Sequence, residues 1–162
     1  MVILGIDPGL KVAGFGILKK EGSKAFLLDY GYLAQTSTTP LVERVATFYH
    51  FFDEKIKKWQ VTDLALEHPY LGRNTQTFLK LGYLRGSLYL LAHDYALVLH
   101  EFSPSEIKMA VTGFGGAEKE QVARVILTLF PQLKTVAKLD VSDALAVTIC
   151  ALWRKNNILA RY

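Results

Sequence analysis

A chain of 162 residues with 51% hydrophobic content fits one domain with a substantial core. Its 19 Lys and Arg against 15 Asp and Glu give a formal charge of +4, a mild bias that admits nucleic acid as a partner without requiring it. The single cysteine excludes an intramolecular disulfide, and neither a signal-peptide pattern nor an apolar run of the ~18 residues that a membrane span needs is present, so a cytoplasmic, membrane-free location is expected.

In chain order, Val2 to Ile6 is an apolar run suited to a strand buried on both faces, and Asp7 stands at its end. Pro8 and Gly9 force a turn. Val12 to Leu18, lightened by Gly14 and Gly16, reads as the returning strand of a hairpin, and Ala25 to Ala34 as a third antiparallel strand. After the polar stretch Gln35 to Pro40, the apolar positions Leu41, Val45, Phe48, Phe52, Ile56 and Trp59 recur at helical spacing. Val61 to Leu66 is a further strand, and it too runs into an acid, Glu67.

The loop from His68 to Thr75 contains the turn formers Pro69, Gly72 and Asn74. A helix follows from about Thr77 to Ala92, with Gly82 and Gly86 four apart, a spacing that lets another backbone approach. Ala96 to Phe102 is a strand, and Ser103-Pro104-Ser105-Glu106 has the form of a capping box that opens a helix to about Val111. The flexible stretch Gly113 to Gly116 precedes a helix from Glu118 to Phe130 and a connection from Pro131 to Leu139. A last helix begins at Asp140, with Asp143 on the same face, and carries Cys150 within an apolar run where a buried thiol is expected. The order βββαβαβααα is that of an α/β domain, a mixed sheet flanked by helices, and one domain is expected over 1–162.

Four acids stand where solubility does not need them: Asp7, Glu67, Asp140 and Asp143. Each has an ordinary explanation. Asp7 can brace the Pro8-Gly9 turn, Glu67 can reach solvent from a strand end, Asp140 can cap its helix, and Asp143 can complement the helix dipole. If the strands from Val2 and Val61 are neighbours, however, Asp7 and Glu67 lie side by side, and the last helix packing on the sheet brings two more carboxylates to the same edge. Four clustered carboxylates repel unless cations neutralise them. Oxygen-only ligands suit Mg²⁺ or Mn²⁺, and a pair of such ions is the usual clamp for in-line attack on a phosphodiester. That arrangement implies a nuclease.

The blocks GIDPG, LEHPYLGRNTQTFLKLGYLRG, GFGGAEKEQV and DVSDALA, in this order, resemble the RuvC-type Holliday-junction resolvases over nearly the whole chain. The resemblance implies an RNase H-like fold, a five-stranded mixed sheet with helices on both faces. It also implies a homodimeric DNA endonuclease of recombination and repair that nicks two like-polarity strands of a four-way junction symmetrically, leaving 5′-phosphate and 3′-hydroxyl ends. Carried over by position, the catalytic and metal-binding acids fall on Asp7, Glu67, Asp140 and Asp143, with two Mg²⁺ ions per subunit, or Mn²⁺ in their place. Lys108 and Lys119 match basic residues near the scissile phosphate, Tyr70 an aromatic that stacks on junction bases, and Arg73, Asn74, Lys80 and Arg85 positions near DNA. Branch-migration motor proteins are a further partner that the resemblance suggests. His68-Pro69 and Thr75 to Phe78 depart from the pattern, and none of His50, His68, His93 and His100 matches a ligand, so surface or core roles are expected for all four.

Three other readings share features with this one. The shorter resolvase-like nucleases that trim ribosomal RNA precursors share the fold and the first aspartate, but the KLGxxRG helix, the aromatic loop and GxGxAEK argue against them. Actin-like ATPases share a glycine-aspartate strand, but need two such domains. A junction-binding protein without catalysis has no reason to hold four acids against polyanionic DNA, and would show no metal-dependent nicking.

Overall fold

Strand β1 (Val2–Asp7) is the middle of a five-stranded sheet ordered β3-β2-β1-β4-β5. It pairs antiparallel with β2 (Val12–Glu21), which turns back into β3 (Lys24–Ala34). On its other side it pairs parallel with β4 (Asp63–Glu67), whose outer neighbour is the parallel strand β5 (Val98–Phe102). The computed structural model describes residues 1–69, 74–135 and 139–157, and the expected DNA contacts Tyr70 and Arg73 lie outside the described residues.

Parallel neighbours need crossovers, and helices supply them. Helix α1 (Leu41–Trp59) leads into β4 and α2 (Thr75–Asp94) into β5. Both lie on one face of the sheet, where Phe48, Phe52, Leu84 and Leu88 pack on Leu4, Ile6, Phe15, Ile17 and Leu66. Helices α3 (Pro104–Thr112), α4 (Lys119–Leu129) and α5 (Leu139–Asn157) cover the opposite face, where Ile107, Val122, Ile126 and Leu145 pack with Ile3, Leu18, Ala65 and Phe102. Side chains of a strand alternate between faces, so β1 sends Leu4 and Ile6 one way and Ile3 the other.

The element order matches that expected, and the differences are at the ends. The capping box at Ser103 and Glu106 forms: the Ser103 hydroxyl accepts from the Glu106 N–H and the Glu106 carboxylate accepts from the Ser103 N–H. Helix α2 begins at Thr75, two residues before the expected start, because Asn74 caps it, its side-chain oxygen accepting from the Thr77 N–H at 3.0 Å. A 3₁₀ turn (Pro131–Thr135) lies within the connection after α4. Helix α5 starts at Leu139, so Asp140 is inside the first turn and is not its cap.

What fixes the register of α5 against the sheet is a set of glycines. A Cβ built on Gly5 would lie 2.0 Å from the Thr148 hydroxyl and 2.6 Å from the Ala144 carbonyl oxygen, and one on Gly16 would lie 2.3 Å from a Leu145 methyl. Gly5 and Gly16 are cross-strand partners, and Gly14 is the partner of Asp7. With no side chains there, α5 rests directly on the β1–β2 backbone, and the Thr148 hydroxyl, fully buried, is satisfied by donating to Ala144 within the helix at 2.6 Å.

Candidate active site

Asp7 closes β1 and Glu67 closes β4, and the parallel register that sets Ile6 beside Leu66 sets these two acids side by side at the same end of the sheet. By alternation both belong to the face that carries α5: two residues earlier stand Gly5, which touches α5, and Ala65, which is in the core beneath it. Asp140 and Asp143 belong to the first turns of α5, held over the same strand ends by the glycines. Each of the four is only half-buried.

The charge states show how closely the four are gathered. The Asp7 carboxyl is pushed from 3.8 up to about 7, first by burial, then by the negative charges of Asp143, Asp140 and Glu67, with Lys119 acting the other way. Burial is also the largest influence raising Glu67 and Asp143; for Glu67 the next is the charge of Asp143, while for Asp143 the contact with Lys119 opposes the rise. Four carboxylates thus form one electrostatic unit with an excess of negative charge.

Two lysines face this unit. Lys119, the first residue of α4, has its Nζ 2.5 Å from Asp143 Oδ2, and this hydrogen bond is the main cause of its own raised pKa. Lys108 on α3 opposes the rise of the Glu67 pKa. Together with Glu67 and Asp143 the two lysines line a cleft of about 280 Å³. A second cleft of about 400 Å³ lies between Asp7 and Glu67 and helix α2, walled by Pro8, Pro69, Phe78, Leu81 and Tyr89. A charged groove and an apolar groove thus meet at the carboxylates, which is the division a nucleotide also has between phosphate and base.

The donor set fits a hard divalent cation: all four donors are carboxylate oxygens, and their mutual repulsion is relieved by added positive charge. Among the described residues no three His, Cys, Asp or Glu side chains are already closed around one point, and one oxygen of Asp143 is engaged by Lys119. Cys150 is not part of the site. It is buried in α5, and burial pushes its thiol up to about 11, so it is the small apolar residue expected.

The expected DNA contacts divide. Lys80 is exposed on α2. Asn74 is exposed as well, but its side-chain oxygen serves as the α2 cap. Arg85 is largely withdrawn from solvent: it is 7% exposed, it forms part of the lining of the cleft between the carboxylates and α2, and its guanidinium donates to the Glu67 main-chain oxygen at 2.7 Å and to Glu101 Oε1 at 2.5 Å. The physical reason is its place between Leu84 and Leu88 on the buried side of α2, where a cation needs fixed partners. Of the histidines, His100 pairs with the buried Asp63 at 2.8 Å, near the opposite end of β4 from Glu67.

Sequence reasoning missed Gly5, Gly14 and Gly16 as the bed of α5. The signal was present, since Gly14 and Gly16 alternate on one strand and so share a face. It also missed Glu101, whose role depends on Arg85 and Tyr89 of α2, partners that only the packing of α2 over β5 brings to it.

Comparison with known proteins finds similar sequences and similar folds. The family model described as crossover junction endodeoxyribonuclease RuvC matches residues 3–151. A protein of Alkaliphilus oremlandii (strain OhILAs) named crossover junction endodeoxyribonuclease RuvC is 38% identical over 150 residues, 93% of this chain and 92% of that protein. The solved RuvC of Thermus thermophilus is similar with a TM-score of 0.84 at 25% identity, covering 97% of each chain. The same protein in complex with a Holliday junction substrate has a TM-score of 0.85 at 24% identity over 96% of each chain, a likeness of fold.

Proposed function

We infer the function of this chain from the family to which it belongs, the RuvC crossover junction endodeoxyribonucleases, and from the four carboxylates gathered at the edge of its RNase H-like sheet. It is a DNA endonuclease that resolves Holliday junctions in recombination and repair. The observation that carries the chemistry is the placement of Asp7 and Glu67 side by side at the ends of β1 and β4 with Asp140 and Asp143 of α5 held over them, because four carboxylates so gathered repel one another and are relieved by bound cations.

The catalytic reading is that Asp7, Glu67, Asp140 and Asp143 hold two Mg²⁺ ions, with Mn²⁺ able to replace them. Bound in pairs, such ions supply an activated water and stabilise the departing 3′-oxygen of a phosphodiester. Asp7 is central, since all three other acids act on it. The two lysines have a separate task. Lys108 and Lys119 border the cleft that also contains Glu67 and Asp143, so their ammonium groups would face a phosphate entering it and offset charge that grows on its oxygens. Lys119 must then divide its charge between Asp143 and that phosphate.

Binding is assigned to the surface around this cleft. Asn74, which caps α2, and Lys80 on α2 are the described candidates, and Tyr70 and Arg73 are proposed by resemblance to stack on junction bases and contact the backbone. The enzyme acts in the cytoplasm as a homodimer, whose two-fold axis matches that of a four-way junction and gives paired nicks with 5′-phosphate and 3′-hydroxyl ends. Recruitment by branch-migration motors belongs to the same reading. Support for the dimer is the apolar outer side of α2, where Gly82 and Gly86 have no atom within 4 Å of a built Cβ and Leu79, Tyr83 and Leu90 are exposed.

The test uses a synthetic four-way junction, wild-type protein and Asp7→Asn, with and without Mg²⁺, and maps the nicks. The expected result is paired nicks by wild type with Mg²⁺ alone, and junction binding without cleavage by Asp7→Asn. Near-normal cleavage by that variant overturns the assignment.

A further inference from the structure

Glu67 ends its strand beside a residue that cannot complete the ladder. In the β1–β4 register the residues alongside and beyond Glu67 are Asp7 and Pro8, and proline has no N–H to give to the Glu67 carbonyl. That carbonyl is instead satisfied by a side chain from the opposite layer, Arg85 Nη1 of α2 at 2.7 Å. The guanidinium is in turn fixed by its second arm. Arg85 Nη2 donates to Glu101 Oε1 of β5 at 2.5 Å, and the same oxygen accepts from the Tyr89 hydroxyl, one turn along α2, at 2.7 Å. Tyr89 also lines the apolar cleft beside Asp7 and Glu67.

We propose that Arg85, anchored by Glu101 and Tyr89, is a positioning device that clamps the main chain of Glu67 and so presets the Glu67 carboxylate for the metal ions. Arg85 does not touch the reacting atoms. Its planar fork joins three elements, α2, β4 and β5, at the level of the site, and a fork of fixed geometry restricts the Glu67 peptide more than a single-point cation could. The layer it comes from is opposite to α5, so Glu67 is held from behind while Asp140 and Asp143 approach from in front. A partner that orients a metal-holding carboxylate in this way raises metal affinity by removing wrong orientations before binding. This proposal rests on the reading of Glu67 as a metal-holding residue.

The test measures Mn²⁺ binding to the DNA-free protein by calorimetry, Mg²⁺ dependence of junction cleavage, and thermal unfolding. Arg85→Met removes the clamp, Arg85→Lys keeps the charge without the fork, and Glu101→Gln keeps the shape but weakens the anchor. Ser87→Ala, in which a buried residue of the same helix loses its hydrogen bond to Leu84, reports on loosening of α2 alone. The expected Mn²⁺ Kd rises roughly 3- to 10-fold in Arg85→Lys and Glu101→Gln and is unchanged in Ser87→Ala, and excess Mg²⁺ restores most of the cleavage rate of Glu101→Gln. Arg85→Met is expected to lose more, and if it fails to fold the two milder variants still decide. Folded Arg85→Lys and Glu101→Gln proteins that bind Mn²⁺ as tightly as wild type overturn the clamp and leave the nuclease reading intact. A wild-type protein that takes up no Mn²⁺ overturns the metal reading, and the clamp with it.

Discussion

Gly14 lies directly beneath the first turn of α5: a Cβ built on it would come within 2.0 Å of the Asp140 carbonyl oxygen and 2.4 Å of its carbonyl carbon. Neither partner is the end of a flexible side chain, so any larger residue has to move the helix. Because Gly14 is the cross-strand partner of Asp7, the displacement falls on the site.

Gly14→Ala is therefore expected to lower stability by about 1 to 3 kcal/mol, the usual range for overpacking. Cleavage is expected to fall by much more than stability alone explains, on the order of 10²-fold at a temperature where the variant is folded, because a displacement of about 1 Å at reacting groups has that effect. Calorimetric unfolding and single-turnover cleavage at saturating Mg²⁺ check the two parts separately. A variant with normal cleavage would mean that α5 can shift without disturbing Asp140 and Asp143.

The Asp7 carboxyl gives a pH dependence of definite sign. Its pKa is near 3.8 when unperturbed and about 7 in the folded protein, so between those values the folded state keeps a proton that the unfolded state has lost. Stability then falls as pH rises through this window: the favourable contribution is complete below about pH 4 and absent above about pH 7. The metal-free protein should lose thermal stability between about pH 5 and about pH 8 more steeply than Asp7→Asn, which lacks the titrating group. Mg²⁺ needs ionised carboxylates, so the stabilisation it gives should grow over the same interval. Calorimetry at both pH values, with and without Mg²⁺, measures all of these differences.

The strand ends were legible because the physics that places them is local. An apolar run that stops at Asp7 marks a strand buried on both faces, a weakly alternating one that stops at Glu67 marks a second strand, and a buried strand can end in an acid at little cost where the sheet meets a cleft. The helices followed from spacing, and the Ser103–Glu106 box from four residues. The internal partners of Arg85 were not legible because its neighbours in the sequence, a KLGxxRG helix rich in glycine and basic residues, look like a surface, while those partners, the Glu67 carbonyl and Glu101, come from strands 18 and 16 residues away. Side-chain spacing reports one helix face at a time, and α2 has apolar residues on more than one: Leu84 and Leu88 are buried while Leu79 and Leu90 are exposed.

Lys119 supplies a third expectation. Its ammonium group touches Asp143 and opposes the rise in the pKa of Asp7, Glu67 and Asp143. In Lys119→Met those carboxyls should hold their protons to higher pH, so the acid limb of the cleavage profile moves in the alkaline direction. Loss of a cation near the phosphate should also lower the rate at neutral pH by ~10²-fold. Lys119→Arg keeps the charge and should leave the position of the acid limb nearly unchanged. The pH profile of single-turnover cleavage separates the two effects, since a residue that only assisted chemistry would lower the plateau without moving the limb.

The outer side of α2 gives the last expectation. Leu90 is 60% exposed and Leu79 57%, and across a shallow groove from Tyr83 and Leu90 lies Val42 of α1, 75% exposed. Such a patch is costly to leave in water, and glycines at 82 and 86 leave room for a second backbone to approach. If a second copy covers it, a charge at its centre has to be desolvated without a partner. Leu90→Glu should then weaken self-association by about 2 kcal/mol or more, roughly 30-fold, which sedimentation at several concentrations measures as a shift from dimer to monomer. Phe26→Glu, on β3 and comparably exposed at 44%, should leave sedimentation unchanged. The functional consequence is distinct from that of an active-site variant. The Leu90→Glu protein retains its carboxylates, so residual cleavage of a four-way junction should consist of single nicks in place of paired ones, and raising the protein concentration should restore the pairing. Paired nicking by a protein that sediments as a monomer would exclude this face as the basis of symmetric cleavage.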